Sequence, residues 1–202
     1  MRLRKGIAVS FLVLLAGGAP GIGAPAELPV PRISVLNIEP RGPDILIKKF
    51  HLEGALNPEL ARKIEAGLET TIRYDIRLYR QYRWWFDSFQ DARTYRVAVT
   101  FDPVTREYVV DETMDSRPLR RSTTRDFDAV ARTLADGENL LIFRVGEGKP
   151  RRNLYVSMRA TFDSTYLFAF IPVDTRTGWK KSRKFNIPET PNENPGRDPK
   201  AP

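Results

Sequence analysis

The residues best equipped for chemistry lie in one run, Arg77-Leu78-Tyr79-Arg80-Gln81-Tyr82-Arg83-Trp84-Trp85-Phe86-Asp87. Three arginines and five aromatic residues share these eleven positions, including two of the chain's three tryptophans. A guanidinium presents a planar fork of donors that fits a carboxylate or phosphate, and Trp and Arg are the side chains that dominate protein hot spots. On that reading Arg80, Arg83, Trp84, Trp85 and Asp87 form a ligand- or partner-binding patch. The same mixture also suits a strand end, with Arg stacked on Trp, the rings buried and Asp87 paired locally with Arg80 or Arg83. Aromatic residues are more often core than site, so this structural reading carries the greater weight.

Other candidates are sparser. His51 is the chain's lone histidine. A histidine can serve as a general base or pH sensor, but no nucleophile or orienting carboxylate stands near it in sequence, so a satisfied edge residue is expected. Asp111, Glu112 and Asp115 form the densest acidic cluster. Their spacing matches neither an EF-hand nor a two-metal site, and a solvated strand end facing Arg117, Arg120 and Arg121 is expected instead. Gly146-Glu147-Gly148-Lys149 lacks the full spacing of a phosphate loop and reads as a hairpin turn. The nucleophile-elbow pattern Gly-x-Ser-x-Gly is absent. With no cysteine among 202 residues, disulfides, cysteine zinc sites and thiol catalysis are excluded, and one histidine rules out any site with two. No metal or cofactor is implied.

The elements that must position these residues show a period of two. Ile72, Tyr74, Ile76 and Leu78 alternate with polar neighbours, as do Tyr95, Val97, Val99 and Phe101, and Leu154, Val156, Met158, Ala160 and Phe162. Each predicts a half-buried strand with one wet face, the antiparallel pattern. Asp102-Pro103 suits a turn that joins strands 93–102 and 106–114 into a hairpin. Ile33–Ile38, Ile45–Leu52 and Leu140–Val145 are further strand candidates. Asn57 and Pro58 open a short helix that carries Leu60, Ile64 and Leu68 and ends near Gly67. Asp126 caps a second, with Phe127, Val130, Ala131 and Leu134 on one face before Gly137. The predicted order is β-β-α-β-β-β-α-β-β. It favours a mainly β, antiparallel sandwich-like fold with two short helical connections over an α+β layer with both helices on one face.

Met1 to Ala26 reads as a secretory signal peptide. Arg2, Arg4 and Lys5 precede the apolar run Ile7–Ala16, and Ala24-Pro25-Ala26 offers a small-x-small cleavage pattern. The run is too short to span a bilayer, which takes about 20 residues. The alternative is an uncleaved N-terminal membrane anchor. Residues 27–187 are expected to form a single β-rich domain, and the Pro-rich tail 188–202 to stay disordered. The formal charge of +8, on a chain expected in the periplasm or outside the cell, points to no nucleic acid. It suits an anionic envelope surface or acidic partner, although modest charge also serves solubility alone.

The whole chain resembles the secreted bacterial family known as domain of unknown function 4390. The resemblance is carried by Leu52 through Leu68 as strand-then-helix, by Arg83-Trp84-Trp85-Phe86-Asp87 and by the hairpin from Tyr95 to Tyr108. It closes with Trp179-Lys180-Lys181-Ser182-Arg183-Lys184-Phe185, a Trp-x-x-Ser-x-x-aromatic signature. Phe170-Ile171-Pro172 stands where the family more often has a Leu-Pro pair. The resemblance implies an exported protein that works beside membrane signalling or envelope proteins, with no established activity. Three functions therefore compete: an envelope binding or adaptor module that contacts a membrane protein or anionic ligand through the Arg/Trp run, a hydrolase whose site forms only in the fold, and a binder of anionic membrane surfaces. The absence of any catalytic spacing weighs against the enzyme.

Overall fold

The computed structural model describes residues 30–56, 58–146, 148–162 and 175–188. Hairpins generate most of the architecture. Strands β1 (Arg32–Arg41) and β2 (Asp44–Glu53) are joined by the two-residue turn Gly42-Pro43, in which Gly42 takes φ +55°. A positive φ at the first central position matches the right-handed twist of the flanking strands. Helix α1 (Pro58–Glu65) ends where the Gly67 and Leu68 amides bond back to the Ile64 and Lys63 carbonyls at 3.0 and 3.1 Å. This is a Schellman closure with Gly67 at the left-handed position. Leu68, placed on the helix face by spacing, lies beyond the helix and is exposed.

Strands β3 (Thr70–Arg80), β4 (Ser88–Asp102), β5 (Glu107–Met114) and β6 (Arg117–Thr124) run as a continuous meander. The Asp102 carboxylate accepts the Val104 amide at 2.8 Å and shapes the β4–β5 turn. Helix α2 (Phe127–Ala135) starts at Asp126, whose side chain accepts the Asp128 amide at 2.9 Å. Then come β7 (Asp136–Arg144), β8 (Leu154–Phe162) and the short β9 (Thr175–Arg176) and β10 (Lys180–Lys181).

Among the described residues, all strand pairings are antiparallel and form two sheets. The smaller has the order β1-β2-β7, the larger β10-β8-β3-β4-β5-β6, with β9 beside β8. The fold is thus mainly β and sandwich-like, as the alternation implied. A single apolar core lies between the sheets. Its centre is aromatic: Phe50 of β2 meets Tyr74 of β3 at 4.7 Å between ring centroids and Tyr95 of β4 at 6.3 Å. Both tyrosine hydroxyls are satisfied, Tyr74 donating to the Leu134 carbonyl at the end of α2 and Tyr95 to Glu112.

Three expectations need correcting. Strand β6 has no counterpart in the predicted order, because Arg-Pro-Leu-Arg-Arg-Ser-Thr-Thr carries no alternation and is exposed almost throughout. Pairing with β5 makes it a strand, supported by Arg120–Glu112 and Arg121–Asp111 ion pairs, each 3.6 Å long. Strands β4 and β7 begin earlier than predicted, at Ser88 and Asp136. In β8 the face expected to be wet is largely covered, with Tyr155, Ser157 and Thr161 all buried. The returning chain runs along the edge of β8, where Thr177 and Ser182 accept the Ala160 and Val156 amides, and carries Trp179 onto that face. Trp179 packs against the Arg77 and Arg159 guanidiniums, 4.5 and 4.6 Å from its ring. Residues 1–26, expected to be a signal peptide, and the tail beyond Pro188 lie outside the described residues.

Candidate functional site

The Arg/aromatic run straddles the end of β3 and the loop to β4. The last cross-strand partners are Tyr79 with Phe89 and Arg80 with Ser88, so residues 81–87 form a tip beyond the sheet. Both ends of the tip are tied down at the start of β8, one to the residue just before it and one to its second residue. At the entry, the Gln81 amide donates to the Asn153 carbonyl at 2.8 Å. At the exit, the Tyr155 hydroxyl donates to Asp87 Oδ2 at 2.7 Å. Tyr155 is stacked on Tyr79 with centroids 5.4 Å apart, and Phe89 meets Tyr79 edge-on at 5.9 Å. Burial, then the Asp87 hydrogen bond, pushes the Tyr155 hydroxyl well above its ordinary pKa, so it stays a donor.

Between these ties the side chains stand in solvent. Trp84, Trp85 and Phe86 are 84%, 80% and 95% exposed. The structural reading of the run, with rings buried at a strand end, is therefore overturned for the tip itself. The anticipated stacking does occur, but on the surface: Arg83 lies 5.8 Å from the Trp84 ring centre, and Arg80 lies 4.9 Å from that of Tyr82 while donating to its hydroxyl. Asp87 pairs with neither Arg80 nor Arg83. Its partners are Tyr155 and, at 3.9 Å, Lys181. Arg80, Arg83, Trp84, Trp85 and Asp87 are thus brought into one loop, with Asp87 as its strut. Phe86 belongs with the two tryptophans and was omitted from the candidate residues, although it adjoins them in sequence. Tyr155 and Lys181 carried no local signal.

A family model for a domain of unknown function, DUF4390, matches residues 31–180. The chain belongs to this family. No curated protein and no solved structure matches it. The match spans β1 to the start of β10 and includes the tip, so the strand-helix segment, the Arg83–Asp87 block and the Tyr95–Tyr108 hairpin all fall inside it. Trp179 and Lys180 close the matched span, and Lys181 to Phe185 lie past its end. Phe170-Ile171-Pro172 falls outside the described residues.

The remaining candidates of this DUF4390 domain find the following partners among the described residues. His51 Nδ1 lies 2.7 Å from Asp136 Oδ1, so β2 and β7 supply the orienting carboxylate missing from its sequence neighbourhood. A hydrolytic site would need a hydroxyl at the opposite ring nitrogen. The nearby Ser34 hydroxyl donates to the His51 carbonyl oxygen instead, at 3.4 Å. The acidic cluster divides as expected between arginines, with Arg120 and Arg121 on Glu112 and Asp111. Arg93, not Arg117, holds Asp115, at 2.8 Å. Glu112 is not solvated but buried beneath the Tyr95 hydroxyl. Glu147 lies outside the described residues, and Gly146 and Gly148 flank it between β7 and β8. No described helix is long and apolar enough to cross a membrane.

Proposed function

We propose that this DUF4390 protein is an exported, non-enzymatic binding module of the bacterial envelope, and that its contact element is the tip between β3 and β4. One observation carries the reading: three consecutive aromatic side chains are exposed by 80% or more on a loop whose two ends are tied down. Water offers no reason to display so much contiguous apolar surface, and such patches mark interaction sites. Anchoring at Gln81 and Asp87 lowers the ordering entropy that contact would otherwise cost. Export is supported by the basic and apolar leader ahead of Glu27.

The test uses a photo-reactive phenylalanine in place of Trp85, in cells that make the full chain. Val104, 90% exposed in the β4–β5 turn at the other end of the sheet, is the matched control. Adducts from position 85, with few from 104, are expected in an envelope fraction. Equal labelling from both positions, or recovery of the protein in the cytosol, defeats the proposal.

A further inference from the structure

We infer that the tip docks on the anionic surface of a lipid bilayer, with Trp84, Trp85 and Phe86 entering the headgroup layer. The inference rests on the tip being the contact element and adds what that element contacts.

The first argument is chemical. Three neighbouring rings of the loop are each exposed by 80% or more, a protruding apolar surface rather than a recess shaped for one side chain of a partner. The bilayer interface accepts amphipathic rings at headgroup level without a fixed complementary shape, which is why Trp and Tyr gather there. Tyr82, 41% exposed, adds a fourth ring beside them.

The second argument is charge. Arg80 and Arg83 lie in or beside the loop. Ser182 bonds to Val156, and Phe185 pairs with Leu154. That register sets the intervening Arg183 and Lys184, both exposed, level with Tyr155 and so at the same end of the sheet as the tip. Elsewhere on the surface many cations face a carboxylate, as in Arg41–Glu39, Arg144–Asp44 and Arg125–Glu107. Among the described residues, Arg80, Arg83, Arg183 and Lys184 face none. The loop's one carboxylate, Asp87, is masked by the Tyr155 hydroxyl and Lys181. Unpaired cations around exposed aromatic rings are the complement of a surface that is negative outside and apolar beneath.

The test is co-sedimentation of the full chain, recovered from the envelope fraction, with vesicles of phosphatidylcholine alone or mixed with phosphatidylglycerol. Two variants accompany it, Trp84→Ser/Trp85→Ser/Phe86→Ser and Arg83→Glu/Arg183→Glu. All share one N-terminus, so differences in retention belong to the altered residues. Wild type should sediment with the anionic vesicles, with a blue shift of its tryptophan emission, and not with the neutral ones. Binding should weaken between about 0.1 and 1 M salt, as the screening length falls from about 10 to about 3 Å. Each variant, melting at the wild-type temperature, should bind at least about tenfold more weakly. Equal retention of wild type and the aromatic variant, or no preference for phosphatidylglycerol, overturns the bilayer inference. If vesicles are not bound while position 85 labels a protein in cells, the bilayer falls and the contact element stands. If position 85 labels nothing beyond the Val104 control, both fall.

Discussion

Glu112 and Tyr95 show how one hydroxyl can hold a charge inside a small domain. Glu112 is only 5% exposed. Tyr95 donates to its Oε2 at 2.7 Å from the core side, and Arg120 approaches its Oε1 at 3.6 Å from the solvent side. Removing the hydroxyl leaves that carboxylate oxygen without its donor where water enters poorly, and such losses cost about 1–3 kcal/mol. Tyr95→Phe is therefore expected to lower stability by that amount in urea unfolding, with the ring packing against Phe50 and Tyr74 retained. An unchanged midpoint would show that Arg120 alone satisfies Glu112.

At the scale of elements, β2 and β7 are locked by the absence of a side chain. Gly137 pairs with Phe50, and a Cβ built on Gly137 would lie 2.0 Å from a carbon of the Phe50 ring. The ring cannot move freely, since it also packs against Tyr74 and Tyr95. Gly137→Ala should then destabilise the domain by about 1–3 kcal/mol, the usual cost of overpacking. It should also perturb the near-ultraviolet dichroism of the aromatic cluster. Wild-type stability in this variant would mean that Phe50 has room the packing does not suggest. From the sequence, Gly137 looked like the end of α2; its position opposite a core phenylalanine depends on a pairing with β2, far away along the chain. Strand β6 was illegible for a related reason. With water on both faces it leaves no hydrophobic period, and only its hydrogen bonds to β5 define it.

For the molecule as a whole, the tyrosines link the core to pH. Burial is the main cause that raises the Tyr74 and Tyr95 hydroxyls well above their ordinary 10.0, with the neighbouring Asp136 and Glu112 charges adding to it. Tyr155 shifts the same way. In the unfolded chain these groups ionise near their ordinary value, whereas the folded chain keeps them protonated. Their contribution to stability is thus complete below about pH 10 and is lost progressively as the pH rises toward the folded values. Alkaline titration followed by tyrosinate absorbance should show these hydroxyls silent past pH 10 and ionising only with cooperative unfolding. Smooth titration of every tyrosine near pH 10 with the fold intact would contradict this picture. The exposed tip stands apart from this core. Trp84, Trp85 and Phe86 bury almost nothing, so they are available for contact without weakening the sandwich.

By itself, the sequence determined the half-buried strands of the core, the Gly67 end of α1, the Asp126 cap of α2, the mainly β class and the family. Those features are written locally: the pleat alternates every second residue, and a cap needs only its next two or three neighbours. Only the tertiary structure decided that Trp84 and Trp85 face solvent, that Asp87 is held by Tyr155, 68 residues away, and that His51 finds Asp136 at a separation of 85. It likewise decided that β8 is covered on both faces. Exposure and partner choice depend on which distant strand arrives alongside, and an arginine-aromatic run reads the same whether it packs beneath a neighbour or projects past the last hydrogen-bonded pair.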